Sequence, residues 1–87
     1  MKNQINDADY ILDKVRDAFK AAFAVDPESV SMETTANNIS LWDSVGHLTL
    51  ARSLEETFEI TLDVDDLMEM DSVREIVRII SRSYTKA

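Results

Sequence analysis

The ten residues LWDSVGHLTL, positions 41–50, contain the only tryptophan, the only glycine and the only histidine of an 87-residue chain. Within them, Ser44 follows an aspartate at the point where an apolar helical pattern begins. A hydroxyl in this position either caps the helix by accepting a hydrogen bond from a backbone N–H, or remains accessible for modification. The sequence on both sides of Ser44 bears on this choice.

Apolar residues after Ser44 recur with the spacing of an amphipathic helix, and the predicted stripe is Val45, Leu48, Ala51, Leu54 and Phe58. Before it, residues 24–43 have no sustained period and are rich in turn and cap residues. Loops of this length in small domains tend to be functional. We expect Trp42 to anchor this loop in the core rather than contact a partner, with further anchors at Val30, Met32, Ile39 and Leu41.

Two more helices and one short helical turn complete the pattern. A long first helix begins at Asn6 or Asp7, ends before Asp26-Pro27, and carries the stripe Ile5, Ala8, Ile11, Leu12, Val15, Ala18, Phe19, Ala22 and Phe23. The last helix begins at Asp71 or Ser72, where Ser72 and Glu75 form a capping-box pattern, and its stripe is Val73, Ile76, Val77 and Ile80.

Between these helices, the alternating residues 60–63 have no second strand pattern to pair with, so we predict an extended linker. A short helix then opens at Asp63 or Asp65, with Val64, Leu67 and Met68 predicted to face inward. The sequence therefore predicts an all-α fold: a small four-helix bundle with three longer helices, one short helix and a long loop between the first two. Residues 1–87 are expected to form a single domain.

Composition and charge narrow the function classes. The chain has no cysteine, so packing alone must stabilise it, as suits a reducing compartment. No segment resembles a signal peptide or a membrane span, and we expect a cytoplasmic monomer. The net charge is −8, and residues 26–71 hold twelve of the 17 acids against one base, Arg52. This balance disfavours nucleic acid and anionic membranes as partners and favours basic protein surfaces.

The sequence gives little support for catalysis or for metal binding. The residue types of a hydrolase triad occur at Asp43, Ser44 and His47, but these lie within five positions of one another and lack a nucleophile-elbow motif. The acidic segment DVDDLMEM, residues 63–70, lacks the glycine and the terminal glutamate of a calcium loop. His47, with no cysteine or second histidine beside it, is predicted to lie on the surface.

On these residues alone a plain helix cap is the favoured interpretation of Ser44, and a modified residue is the alternative. Backbone N–H groups and the positive end of the helix dipole would stabilise a phosphodiester at this position. We interpret Gly46 as leaving room for a modifying enzyme, at a helix cost of up to about 1 kcal/mol relative to alanine. Asp43 could cap the helix while it offers a carboxylate to that enzyme or its metal.

The stretch WDSVGHLTLARSLEETFEI, residues 42–60, resembles the region around the modified serine of acyl carrier proteins. The matching positions are Asp43, Ser44, Val45, Leu48, Leu54, Glu55, Glu56, Phe58 and Ile60. The similarity extends over nearly the whole chain, through the four-helix layout and the long loop.

The resemblance implies a carrier and no catalytic residue. A phosphopantetheinyl transferase would attach 4′-phosphopantetheine from coenzyme A to Ser44, and the thiol of that arm would hold acyl or aminoacyl groups as thioesters. An acyl- or aminoacyl-activating ligase would supply the cargo to a fatty-acid, polyketide, nonribosomal-peptide or other dedicated pathway. The partners would recognise Asp43, Val45, Leu48, Glu55 and Glu56.

Two alternatives remain at this point. A second Asp-Ser-Val at residues 71–73 offers Ser72, but Ser72 opens the basic last helix and fits a plain cap. The whole chain could also be an unmodified acidic helical interaction module, with Ser44 as a simple cap. One departure from the family matters as well, because the segment GHLTLAR, residues 46–52, lacks the acids with which fatty-acid carriers dock partners. This difference indicates a specialised carrier.

Overall fold

The computed structural model of the chain describes residues 7–85, which form four α-helices joined by irregular segments. The helices are α1 (Asp7–Phe23), α2 (Ser44–Phe58), α3 (Val64–Glu69) and α4 (Val73–Thr85). Two short 3₁₀ turns, Pro27–Ser29 and Ala36–Asn38, lie in the loop between α1 and α2. The predicted all-α bundle with three longer helices and one short helix is confirmed, and residues 60–63 are extended and unpaired as expected.

The predicted stripe of α1 supplies one wall of the core. Its buried members are Ile11, Val15, Ala18, Phe19 and Phe23, while Ala8, Leu12 and Ala22 are partly buried. The helix ends because Ala24 adopts a left-handed conformation (φ 58°), and its N–H donates to the carbonyl of Lys20. The helix was predicted to begin at Asn6 or Asp7. Asp7 is helical and is the first residue that the structure describes, and Ile5 and Asn6 lie outside the described residues.

The buried face of α2 differs from the predicted stripe. Leu50, Ala51, Leu54 and Phe58 are buried, but Val45 is 75% exposed and Leu48 is 62% exposed. Val45 and Leu54 are nine positions apart, so at about 100° per residue the side chains of Val45 and Leu54 lie on opposite faces of the helix. The assignment of Val45 and Leu48 to the core stripe was therefore wrong.

The loop between α1 and α2 is fixed to the bundle along its length. Trp42 is buried with its ring edge-to-face against Phe19, which confirms the predicted core anchor, and Val30 is buried as well. Arg16 donates from Nε to the carbonyl of Val30 at 2.8 Å. Leu41, predicted to be a further anchor, is 58% exposed, because Trp42 occupies the core at this end of the loop.

Backbone hydrogen bonds join the same loop to the start of α4. The N–H of Val73 donates to the carbonyl of Thr34 at 2.8 Å, and the N–H of Ala36 donates to the carbonyl of Asp71 at 3.3 Å. These bonds form an isolated antiparallel bridge between Thr35 and Ser72. The loop is thereby held against two helices.

The short helix α3 exposes more apolar surface than the sequence predicted. Its N-terminus is a capping box between Asp63 and Asp66, as one of the two predicted starts required. Val64 is 69% exposed and Met68 is 78% exposed, so the prediction that they face inward is wrong. Six residues make fewer than two turns, so Leu67 is the one apolar residue of the helix that is partly buried, and the deep anchor is Met70, immediately after the helix.

The last helix, α4, matches its prediction closely. The hydroxyl of Ser72 accepts a hydrogen bond from the N–H of Glu75 at 3.2 Å, so Ser72 is the N-cap. The predicted stripe Val73, Ile76, Val77 and Ile80 is buried, together with Ile79. The helix packs against α1 and contacts α3.

Arginines on the exposed face of α4 pair with acids of other elements. Arg74 binds Glu33 of the loop at 2.7 Å, and Arg82 lies 3.8 Å from Asp66 of α3. Hydrogen bonds to Glu75 and Glu69 raise the pKa of the Arg78 guanidinium above its usual value. Exposed pairs of this kind contribute little to stability individually, but here they connect the loop and α3 to α4. Across residues 7–85, no helix combines the length and the apolarity that crossing a membrane requires.

Candidate functional site

Asp43, and not Ser44, caps the N-terminus of α2. Its backbone is extended (φ −107°, ψ −163°), and its carboxylate accepts a hydrogen bond from the N–H of Gly46 at 2.8 Å. The carbonyl of Asp43 accepts the N–H of His47 at 2.7 Å, which begins the helical pattern. The alternative in which Ser44 is a simple helix cap is therefore wrong.

Ser44 is the first residue of α2 and is exposed to solvent. Among the described residues, its hydroxyl has no hydrogen-bond partner. The residue borders a cavity of about 450 Å³ that is lined mainly by apolar side chains, including Trp42, Leu67, Met68 and Met70. An accessible hydroxyl next to an apolar cavity is an arrangement suited to the attachment of a long substituent.

Gly46 is required by the packing of the loop against α2. A Cβ at this position would overlap the carbonyl oxygen of Leu41, and it would lie 2.9 Å from the carbonyl carbon of Leu41 and 3.1 Å from Cε1 of Phe23. The glycine was interpreted as an opening for a modifying enzyme. The structure instead shows that its missing side chain admits the backbone of the residue that precedes Trp42.

His47 connects three elements of the structure. The indole N–H of Trp42 donates to Nδ1 of His47 at 2.8 Å, and Nε2 of His47 lies 2.8 Å from the carbonyl oxygen of Leu67 in α3. The imidazole is half-buried, so its predicted surface position is wrong. Since both ring nitrogens are engaged and neither contacts Ser44, His47 is oriented neither to activate that hydroxyl nor to bind a metal.

The residues proposed for partner recognition fall into two groups. Asp43, Val45, Leu48 and Glu56 are exposed around the N-terminal half and one side of α2. Glu55 is half-buried, and its Oε2 accepts the N–H of Leu62 at 2.9 Å, which closes the turn after the helix. The role of all five in recognition remains a prediction, but Glu55 also has a structural role that its acidic neighbour Glu56 lacks among the contacts of the described residues.

Three exposed apolar side chains escaped the sequence reasoning. Leu41, Val64 and Met68 are 58–78% exposed, and Met68 also lines the cavity beside Ser44. They were assigned to the core because apolar residues in irregular or very short segments carry no reliable period. Trp42 and Met70 are buried in their place, and this is visible only in the tertiary structure.

Ser72, the competing serine, is in a different environment from Ser44. It is half-buried, its hydroxyl caps α4, and its backbone takes part in the bridge to Thr35. A modification of Ser72 would break the cap and crowd this bridge. The hydroxyl of Ser44 is therefore more accessible than that of Ser72.

Comparison with known proteins agrees with this geometry. The family model described as the phosphopantetheine attachment site matches residues 13–80 of the chain. An acyl carrier protein of Campylobacter curvus (strain 525.92) is 31% identical over 72 residues, which cover 83% of this chain and 94% of that protein.

The fold, the exposed serine and these two matches place the chain in the acyl carrier protein family, whose members are phosphopantetheine-dependent carriers and not catalysts. The cofactor of such a domain is a covalently attached 4′-phosphopantetheine. Its partners are, in general, phosphopantetheinyl transferases and biosynthetic enzymes.

The cap assignment predicts a contrast between two neighbouring substitutions. Asp43→Ala should lower the free energy of unfolding by about 1 kcal/mol, because the N–H of Gly46 loses its acceptor. Ser44→Ala should change it by less than about 0.5 kcal/mol, because an exposed and unbonded hydroxyl is removed. Urea unfolding followed by the fluorescence of the single tryptophan measures both variants. A larger loss for Ser44→Ala would contradict the assignment.

The packing of Gly46 predicts that alanine is unfavourable there despite its higher helix propensity. Gly46→Ala should destabilise the protein by about 1–3 kcal/mol, because the methyl group forces the Leu41 backbone to move. Ser53→Ala, on the same helix, serves as the matched control and should stay within about 0.5 kcal/mol of the parent. A gain in stability for Gly46→Ala would show that the Leu41 carbonyl yields easily.

Proposed function

We propose that Ser44 is the residue to which 4′-phosphopantetheine is attached. The single observation that carries the assignment is that Asp43 caps α2 and thereby leaves the Ser44 hydroxyl exposed and unbonded at the first helical position. Ser72 lacks this freedom because its own hydroxyl accepts the N–H of Glu75.

The surroundings of Ser44 suit the group that the family carries. The first-turn backbone N–H groups and the positive end of the α2 dipole favour the negative charge of a phosphodiester. Beyond the phosphate, the arm would find the apolar cavity lined by Trp42, Met68 and Met70. The terminal thiol of the cofactor supplies the thioester chemistry, so the chain needs no cysteine of its own.

In this function the protein holds, orients and presents a cargo. Asp43 fixes the start of α2 and so fixes where the backbone of Ser44 lies, and Trp42 anchors the preceding loop. A flexible arm raises the local concentration of the cargo at each docked enzyme, so that weak docking suffices. We infer that the cargo is an acyl or aminoacyl group held as a thioester, that a ligase activates it for a dedicated pathway, and that the protein works as a cytoplasmic monomer.

The docking surface follows from the exposure of residues near Ser44. Val45 and Leu48 present apolar side chains on the solvent face of α2, and Leu41 and Met68 lie on either side of the helix start. Asp43 and Glu56 add exposed negative charge, whereas Arg52 is exposed and positive. Partners of this carrier would therefore dock through apolar contact, with less electrostatic steering than an acidic α2 provides.

The attachment site is tested by intact-protein mass spectrometry. After incubation with coenzyme A, magnesium and a broad-specificity phosphopantetheinyl transferase, the parent should gain one phosphopantetheine. Ser44→Ala should gain none, because the acceptor oxygen is missing. Ser72→Ala should gain one in spite of a loss of about 1 kcal/mol from its cap.

The opposite pattern, a loss of modification in Ser72→Ala alone, would move the site to α4. No gain by a folded parent, with a second carrier modified in the same mixture, would favour the unmodified interaction module. Circular dichroism of each variant confirms that it is folded.

The charge of α2 is tested by reversing its exposed base. Arg52→Glu should raise the kcat/KM for loading by fatty-acid synthesis enzymes severalfold at low ionic strength, because a repulsive charge becomes an attractive one. Lys20→Glu, the same charge change at the end of α1, is the control and should have little effect. Equal rates for the parent and Arg52→Glu would count against a specialised docking surface.

A further inference from the structure

Four rings fill the space just inside the N-terminus of α2, and we call them the aromatic cluster: Phe19, Phe23, Trp42 and His47. Trp42 is at the centre, 4% exposed, with its ring 5.1 Å from that of Phe19 in an edge-to-face arrangement. Phe23 lies 6.4 Å from Trp42, and the imidazole of His47 lies beside Trp42 with the ring centres 6.2 Å apart and the ring planes nearly parallel, at 10°. Aromatic pairs at these separations are mutually stabilising.

The hydrogen bonds of His47 define its tautomer. The indole N–H of Trp42 can only donate, so Nδ1 of His47 must be unprotonated in order to accept it. The neutral imidazole then carries its proton on Nε2, which donates to the carbonyl of Leu67 at 2.8 Å. A single ring thus connects the long loop, α2 and α3.

This connection is important for α3 because the helix has little else to hold it against α2. None of its six residues is fully buried, and its ion pairs run to α4 through Asp66 and Glu69. The bond from His47 to Leu67 is the hydrogen bond that joins α2 to α3 within the described residues. Loss of this bond would allow α3 to move away from α2.

Residues of the aromatic cluster line both cavities beside the N-terminus of α2. Trp42 and His47 line the cavity of about 450 Å³ that Ser44 borders. Phe23 lines the second cavity, of about 270 Å³, which Val45 and Gly46 border. A chain attached to Ser44 that entered the core between α2 and α3 at His47 would have to break the contact between His47 and Leu67 and displace a buried Trp42.

We propose that His47 is a positioning residue that locks α3 against α2, so that cargo carried on Ser44 stays outside the helix bundle in the solvent-open cavity. The inference rests on the proposed function and deepens it. It also indicates the class of cargo: an acyl or aminoacyl group short enough for this cavity is accommodated, whereas a long alkyl chain gains no shelter from water in the core.

The test compares two cargoes on the same protein. A broad-specificity transferase attaches acetyl- or octanoyl-4′-phosphopantetheine from the corresponding coenzyme A thioester and releases adenosine 3′,5′-bisphosphate. Nitrogen-15 NMR of the single histidine reports its tautomer, methyl NMR reports core residues such as Leu54 and Ile76, and cleavage by hydroxylamine reports exposure of the thioester. The lock predicts the Nε2–H tautomer, core methyl signals that do not differ between the two cargoes, and the same cleavage rate for both.

Removal of the lock should admit the longer cargo. In His47→Ala, octanoyl but not acetyl cargo should shift the core methyl signals and slow cleavage severalfold, while Ser53→Ala on the same helix should match the parent. If His47→Ala does not fold, His47→Phe keeps an aromatic ring at this position without its hydrogen bonds. That variant should show faster amide exchange in α3 than the parent, with unchanged exchange in α1.

Several outcomes would overturn the lock: the Nδ1–H tautomer, core shifts and slowed cleavage with octanoyl cargo in the parent, parent-like behaviour of His47→Ala, or unchanged α3 exchange in His47→Phe. Failure of the proposed function is distinguishable, because then no arm is added to Ser44 and neither cargo can be loaded.

Discussion

The hydrogen bond from the N–H of Gly46 to the carboxylate of Asp43 governs the rest of the site. A helix N-terminus leaves its first backbone N–H groups without intrahelical partners, and the side chain of a capping residue accepts a hydrogen bond from one of them. Because the carboxylate of Asp43 supplies this acceptor, the helix does not use the Ser44 hydroxyl as its cap. The hydroxyl of Ser44 is thereby left exposed at the positive end of the helix, where a phosphodiester is electrostatically favoured.

The position of that cap depends on packing further inside. Trp42 is buried against Phe19, and the Leu41 carbonyl passes so close to α2 that only glycine fits at position 46. His47 then bonds Trp42 on one side and the α3 backbone on the other. The unique Trp, Gly and His of the chain therefore form one packed unit that places the serine, which explains why all three occur within six residues.

The surface around this unit includes several exposed apolar side chains. An acidic α2 attracts basic partners at a distance, whereas here the apolar Leu41, Val45 and Leu48 are exposed near the start of the helix together with the acid Asp43. Much of the remaining acidity serves internal contacts: Glu55 binds the turn after α2, and Asp63 and Asp66 form the capping box of α3. Net charge alone thus overstates how many carboxylates are available to a partner.

The sequence by itself determined the four helices, two candidate starts each for α3 and α4, the buried stripes of α1 and α4 and the core position of Trp42. The helices, stripes and starts follow from local periodicity and cap chemistry, which neighbouring residues control. The choice of Ser44 as the candidate site came from the resemblance of its surroundings to the acyl carrier proteins. Only the tertiary structure decided that Asp43 is the cap, that Val45, Leu48, Val64 and Met68 face solvent, and that Gly46 and His47 serve packing. Each of these depends on which element approaches from elsewhere in the chain: the Leu41 carbonyl at Gly46, the Leu67 carbonyl at His47, and α1 against one face of α2.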